Sequence, residues 1–558
     1  MSLANDFGEI EGQYPVVVIG SGYGASVCAA QVAVHTKVCV LERGREYVSG
    51  GFPADGSALL REAQFDDVLG HQGSPLALFD MHLNRDVDVL VGCGLGGTSL
   101  INGGIAIEPD PAVLEQAPWP SELRGGALRP YMDRARSVLR PSRYPESWPV
   151  PAKLAALQRA AAATTLPFSR APVNVHFGPD GVTSSGVFQK ACIGCGDCVT
   201  GCNFDAKNTL PYTYLPLAKQ RGAHIFTQCE VLTIARDSGS YLVRFRRLDT
   251  NPSQPPVEGQ VRAQAVVVGA GALGSTALLL GSQSSDLAFS SRLGLGFSTN
   301  GDTISAGYNC DAATDAIGFG DSVMAGKPPP STLVGPTLLG IVDLRAGALS
   351  QAILVEEGAF PSSLARLTAP LLQLLAGAAS ESAVGIAHWL RERQREAFDL
   401  AGDLRDGALN HSMIYLSMGH DGSAGRLYLD GDRVRVDWPT LKDAACFARA
   451  NTVTTHLTAT LGGLQVSNPG MSIPLVGRLT TVHPLGGCGM GTSADDGVVD
   501  HLGRVFDRAS GGVHPRLYVA DGSVVPTSLG ANPLLTITAI AERIAEGIVA
   551  ELTGATSS

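Results

Sequence analysis

Basic residues are scarce in this chain and nowhere clustered: 41 Lys and Arg stand against 52 Asp and Glu in 558 residues, a formal net charge of −11. Binding to a phosphate backbone needs a basic surface, so a nucleic-acid partner is excluded and small molecules or another protein are the candidates. Charge of either sign is also sparse, at 17% of residues against 44% hydrophobic. The 67 glycines therefore mark tight turns and close backbone approaches, not disorder. No unbroken apolar run exists. The most lipophilic stretch, Leu364 to Leu390, is interrupted by Pro370, Gln373, Ser380, Glu381 and His388, too often to span a bilayer. The opening MSLANDFGEIEGQYP lacks a basic region followed by an apolar one, so no secretory signal is expected. There is no internal repeat and no low-complexity tail, and the length suggests two or three structural units.

Cysteine, by contrast, is concentrated in one place. Cys192, Cys195, Cys198 and Cys202, in CIGCGDCVTGC, have the C-x2-C-x2-C-x3-C spacing of loops that wrap an iron–sulfur cluster. Two-residue gaps let a short loop turn around the cluster with its amides toward the sulfurs, and Gly194, Gly196 and Gly201 suit so tight a course. In ferredoxins the fourth cysteine serves a second cluster and precedes proline; here Asn203 follows Cys202 and no second motif exists. One [4Fe–4S] cluster on all four thiolates is thus favoured over a [3Fe–4S] cluster on three. A structural zinc site or a disulfide loop fits the spacing less well. The other seven cysteines are scattered singly among apolar or glycine-rich residues and read as small core hydrophobes. Cluster cysteines need a reducing compartment, so a cytoplasmic protein is expected.

The first regular element is the strand Val16, Val17, Val18, Ile19, which runs into GSGYGAS and an Ala-rich helix; a second strand, Lys37 to Leu41, ends on Glu42. This is a βαβ dinucleotide unit. Gly20 makes the turn, Gly22 lets the backbone approach a pyrophosphate, and the small Ala25 permits close helix–strand packing. Pyrophosphate is favoured at the helix N-terminus by free amides and the helix dipole. Glu42 is placed to accept hydrogen bonds from the ribose and disfavours a 2′-phosphate, which leaves FAD or NAD. A similar punctuation at Val266 to Gly274 has no acidic residue closing a second strand, and reads as a returning strand of the same sheet. The run VGCGLGGTSLINGG, Val91 to Gly104, has neither helical nor strand periodicity and suits bare amides laid against a flat polar ring. Toward the C-terminus His483 lies in TVHPLGGC, a Pro/Gly segment that aims an imidazole outward. Leu517 to Ala520 reads as a buried strand leading to Asp521, Gly522 and then GANPLLT before a long helix. Leu371 to Leu375 and Ala387 to Leu400 carry apolar residues at helical spacing, in a region of irregular strands between about Gly301 and Gly470.

In this order GSGYGAS, VGCGLGGTSLINGG, GAGALGSTALLL, HPLGGC and DGSVVPTSLGANPLLTITAIAERI resemble the glucose-methanol-choline (GMC) oxidoreductases, most nearly their cholesterol oxidase branch. The resemblance covers nearly the whole chain except the cysteine loop and the variable substrate region. It implies an α/β FAD-binding Rossmann-like domain from residues 10–120, 207–305 and 478–556 and an α+β substrate domain at 306–477, while the cysteine spacing marks an iron–sulfur loop at 186–206. It implies non-covalent FAD, because Ile101 and Asn102 stand where covalent members carry histidine. Tyr23, Gly24 and Glu42 would hold the adenosine and pyrophosphate part, with Val231 near the adenine. Gly97, Thr98, Asn102, Gly103 and Ile105 would line the isoalloxazine side. Asp521 and Gly522 would hold the ribityl and phosphate region, with Asn532 and Leu534 by the flavin ring. His483 would accept the substrate hydroxyl proton while Asn532 hydrogen-bonds the oxygen. Glu356, matched by its distance from Pro361 and with Glu357 a near competitor, would move protons. Simple cholesterol oxidases carry no cysteine cluster, whereas related FAD sugar dehydrogenases use one to pass electrons onward. The expectation is therefore an alcohol dehydrogenase for a hydrophobic secondary alcohol, sterol-like, polycyclic or terpenoid, with an external one-electron acceptor protein. The alternatives are an oxygen-using oxidase or isomerase with a structural cluster, and an electron-relay or redox-neutral flavoprotein.

Overall fold

A computed structural model describes residues 2–249, 251, 254–379, 386–467 and 478–554. The interrupting residues Ser380 and Glu381 and the domain limits expected at 477 and 556 lie outside the described residues. Among the described residues no helix is long and apolar enough to cross a membrane.

The eight-stranded sheet is built on the apolar runs. Gln13–Ile19 pairs in parallel with Val38–Leu41 on one side and with Val257–Val268 on the other. The last strand changes character along its length. Its first half alternates exposed and buried residues and pairs antiparallel with Ser240–Arg247; its second half is buried on both faces and pairs in parallel with Val513–Val519. Alternation belongs to a one-sided sheet and a continuous Val run to a two-sided one, so the composition of this one strand marks where helices begin to cover both faces. Val266, Val267 and Val268 accordingly belong to the same sheet as Val17, Val18 and Ile19. Helices Tyr23–Val32 and Leu534–Thr553 pack together against it. Two glycines make this possible. Gly20 has φ +91°, and a Cβ there would stand 2.4 Å from the Gly269 carbonyl oxygen; at Gly24 it would stand 1.5 Å from that of Ala520.

A second sheet of six antiparallel strands runs in the order Leu464–Val466, Thr303–Tyr308, Met413–Gly419, Ile353–Gly358, Leu338–Leu344, Phe168–Arg170. Helices Ala152–Ala163 and Ala445–Thr460 cover one of its faces. The segments interleave more than the contiguous substrate region at 306–477 implies. Phe168–Arg170 and the covering helix Ala152–Ala163 come from earlier in the chain, while the hairpin Gly425–Asp430 and Arg433–Asp437 leaves to pair with Leu295–Phe297. The apolar spacing at Leu371 to Leu375 and Ala387 to Leu400 belongs to helices Ser362–Ala379 and Ile386–Leu400, with Leu372 and Leu375 in a core beside Phe360 and Leu409.

A third sheet places the glycine-rich loop next to His483. Val87–Gly92 leads into that loop, and Leu479–Thr481 leads to His483; the two are parallel neighbours, Thr481 opposite Val89. Both segments therefore leave the sheet at the same end.

Candidate active site

The turn from Ser298 to Asp302 organises the site. The buried Asp421 carboxylate accepts from Ser298 Oγ, Thr299 Oγ1 and the Thr299 and Gly301 amides, which fixes the turn. Asn300, at φ +58°, uses its side chain to hold the C-terminal loop: Oδ1 accepts from the Leu529 and Gly530 amides, and Nδ2 donates to the Ala531 carbonyl at 2.9 Å. Asn532 follows directly. Asp302 holds the other segment. Its Oδ2 accepts from Thr481 Oγ1 and the amides of Val482 and His483, and its Oδ1 faces His483 Nδ1 at 2.9 Å. A carboxylate can only accept, so Nδ1 carries the proton and Nε2 is left with its lone pair. Asp302 has no exposed side-chain surface and is the site residue that sequence reasoning missed.

Glu356 comes from the second sheet. Side chains alternate along Ile353–Gly358, so neighbouring glutamates face opposite ways. Glu357 turns to helix Ala152–Ala163, where Lys153 Nζ meets it at 2.6 Å and the Gly340 amide donates to it at 2.9 Å. Glu356 turns the other way, and Asn532 Nδ2 lies 3.4 Å from its Oε2. Burial, only partly offset by His483 and Asn532, pushes the Glu356 carboxyl up to about 8. Burial acts against a charged His483, but Asp302, with Glu356 beyond it, outweighs burial and holds the imidazole above its ordinary value. Asn532 Oδ1 and Glu356 Oε1, on two side chains in contact, both lack a partner among the described residues, as does Asn102 Oδ1 beside Tyr23. Buried polar groups are nearly always satisfied, so the Asn532–Glu356 contact calls for a polar ligand.

The residues expected at the cofactor lie as follows. Gly22 caps helix Tyr23–Val32 with no side-chain hydrogen bond, and a Cβ on it would meet nothing within 4 Å, so the first helical amides open onto free space. Gly97 faces it, its own Cβ position 3.1 Å from Gly22 Cα. Asn102 Nδ2 donates to the Tyr23 hydroxyl at 2.8 Å, and Thr98 Oγ1 accepts from the Gly92 amide. The fingerprint turn and the glycine-rich loop are thus in contact, with amides and polar side chains between them, a fit to an anionic dinucleotide carrying a flat ring. Glu42 accepts from Ser21 Oγ at 2.6 Å and from the Gly44 amide at 2.7 Å. Gly103 packs against Leu338, and Ile105 is fully buried beside Val173. Val231 lies at a bulge in Cys229–Asp237, and Leu534 opens the last helix. The two Asp521 carboxylate oxygens take donors from Gly271, Ser275, Ser523 N and Ser523 Oγ. This side chain ties the helix Gly271–Ser282 to the Gly522 turn.

The thiols of Cys192, Cys195, Cys198 and Cys202 line one cavity, with Lys207 and Asp197 at its wall. None is in a disulfide. Among the described residues no three His, Cys, Asp or Glu side chains stand in the geometry of a metal-ion site. Amides nevertheless reach the sulfurs: Gly194 N donates to Cys192 Sγ at 3.3 Å, and those of Phe204, Ala206 and Lys207 point at Cys202. Asp197 anchors the loop to Gly320 and Ser362, and Thr337 Oγ1 accepts from the Cys198 amide. Four soft donors on one cavity, with amides directed at two of them, Cys192 and Cys202, are the donor set of an iron–sulfur group, whose ligand sulfurs stand outside a multi-atom core and so farther apart than around one ion.

Comparison with known proteins agrees with this architecture. Models of the GMC oxidoreductase family match residues 16–287 and 475–541. A cholesterol oxidase of Mycobacterium tuberculosis is 28% identical over 573 residues, covering 95% of this chain and 90% of that protein. A cholesterol oxidase of Acinetobacter baumannii is 25% identical, covering 97% and 95%. Among solved structures, a fungal aryl-alcohol oxidase shares the fold with a TM-score of 0.60 at 15% identity, over 98% of this chain and all of that one. With an α/β dinucleotide sheet, a second antiparallel sheet and the family's two matched regions, this chain belongs to the GMC oxidoreductases, flavoenzymes that act on CH–OH groups.

Proposed function

We propose that the chain is an FAD-dependent alcohol dehydrogenase that oxidises a hydrophobic, sterol-like, polycyclic or terpenoid secondary alcohol and releases electrons through an iron–sulfur cluster on Cys192, Cys195, Cys198 and Cys202. The observation that carries the reading is the Asp302–His483 pair set beside Asn532 and Glu356. Bound FAD supplies the acceptor for the hydride that leaves the carbinol carbon. His483 Nε2 takes the hydroxyl proton, and Asp302 both presents that nitrogen and stabilises the imidazolium that results. Asn532 orients the alcohol oxygen as its C–O bond becomes a carbonyl. Glu356, protonated over much of the neutral range, relays a proton without adding a second full charge to the site. Its neighbours across the sheet, Ile341 and Leu416, are apolar, which suits a greasy substrate, as do the cholesterol oxidase relatives. A cluster held by Cys192, Cys195, Cys198 and Cys202 would supply one-electron steps toward an external acceptor protein, and these cysteines favour a reducing, cytoplasmic setting.

Glu356→Gln tests the electrostatics. His483 must be neutral to accept a proton, so flavin reduction rises with pH through the histidine pKa. Below about 8 the Glu356 carboxyl is largely protonated, so the variant is expected to leave the acidic limb of the anaerobic flavin-reduction rate in place and to lose only the change in rate that sets in as the wild-type carboxyl ionises; a limb moved to lower pH would show that Glu356 is charged beside His483 at neutral pH.

The names of the relatives favour a second reading, in which oxygen is the acceptor and the cysteines hold a structural site. Cys198→Ser separates the two. The dehydrogenase reading expects flavin bleaching by alcohol to persist while transfer to artificial one-electron acceptors is largely lost. Intact oxygen-coupled turnover with unchanged one-electron transfer would favour the oxidase.

A further inference from the structure

Among the described residues two lysines are buried, and one of them is paired with a carboxylate. Lys153, fully buried, meets Glu357. Lys207 is 2% exposed, and among the described residues no carboxylate pairs with it; the acidic groups that face it are the thiols of Cys198 and Cys202. Its ammonium donates to the Cys198 carbonyl at 3.0 Å and to the Leu100 carbonyl at 3.1 Å. Leu100 belongs to the glycine-rich loop, so this one side chain joins the loop facing the dinucleotide site to the loop bearing the thiols. Carbonyl dipoles alone compensate a desolvated ammonium poorly, and a buried cation calls for an anion.

We infer that Lys207 is the counter-charge of the iron–sulfur cluster and sets its reduction potential, an inference that rests on the cluster reading of Cys192, Cys195, Cys198 and Cys202. A core held by thiolates is anionic and gains one further negative charge when it takes one electron. A fixed cation at its wall favours the more negative form and raises the potential, by the same electrostatic route as amides directed at the sulfurs. Because Lys207 lies on the side of the glycine-rich loop, this favourable field is on the side where electrons from reduced FAD arrive. Lys207 is thus a positioning residue that acts on the cluster and not on the alcohol.

The test uses anaerobically purified wild-type, Lys207→Met and Lys207→Arg proteins with their bound cofactors. Iron, sulfide and flavin are quantified, and the cluster midpoint is read by paramagnetic-resonance-monitored redox titration. Lys207→Met is expected to lower the midpoint by at least the equivalent of a tenfold change in the one-electron equilibrium constant, about 59 mV, with the flavin spectrum unchanged. Lys207→Arg is expected to keep the wild-type midpoint. An unshifted Lys207→Met protein overturns the inference, as does a Lys207→Arg protein shifted as far as Lys207→Met, since packing and not charge would then be the cause. Should Lys207→Met fail to accumulate, the arginine variant decides alone: a lowered midpoint or a lost cluster in it overturns the inference. Wild-type protein without iron and sulfide would overturn the cluster reading itself, a result distinct from any of these.

Discussion

Alanine in place of His483 is expected to slow the reduction of bound FAD by an alcohol about 10²–10⁴-fold, the usual contribution of a positioned general base. The expectation follows from the tautomer. Asp302 accepts from Nδ1, which leaves Nε2 with the lone pair of a histidine whose proton affinity is raised. Glu356 cannot replace it across the neutral range, because its carboxyl is largely protonated below about 8. The effect should appear in the anaerobic rate of flavin bleaching at saturating alcohol, with the FAD content of the protein unchanged. A variant that bleaches at the wild-type rate would remove His483 from the chemistry.

Lys153→Met is expected to destabilise the protein by about 3–5 kcal/mol, the cost of leaving one member of a buried ion pair without its partner. Lys153 and Glu357 are both fully buried, and their contact joins helix Ala152–Ala163 to the strand that carries Glu356. Once the ammonium is gone, Glu357 must take up a proton or draw water into a covered sheet face. The urea midpoint and the thermal transition should both fall. Replacing the pair together, Lys153→Met with Glu357→Leu, should restore much of the loss, because two apolar groups need no compensation there. If the single variant is as stable as the double, the pair is not the tie between helix and sheet.

What could be read from the chain alone was local. The strand, glycines, helix and acid of the dinucleotide unit lie within one short stretch, Val16 to Glu42, and Val266 to Val268 announces a two-sided strand by composition. The Asp302–His483 pair could not be read in this way, since its members are 181 positions apart and a single aspartate before a strand has no signature. Alternation guarantees that Glu356 and Glu357 face apart, but only the position of helix Ala152–Ala163 says which one meets Lys153. Phe168–Arg170 is too short to show a period, so its place at the edge of the second sheet is a consequence of tertiary packing. Lys207 stands five residues beyond Cys202, but a lone lysine near Asp205 has no signature of its own, and only its burial shows that it faces the thiols.

The most direct test of the account is an anaerobic titration of the purified protein with 3β-hydroxysteroids and other lipophilic alcohols, followed by visible and paramagnetic-resonance spectroscopy together. The account predicts flavin bleaching and then the signal of a reduced cluster. A flavin that no alcohol of the panel reduces, beside an intact cluster, would contradict it and favour the electron-relay or redox-neutral alternatives.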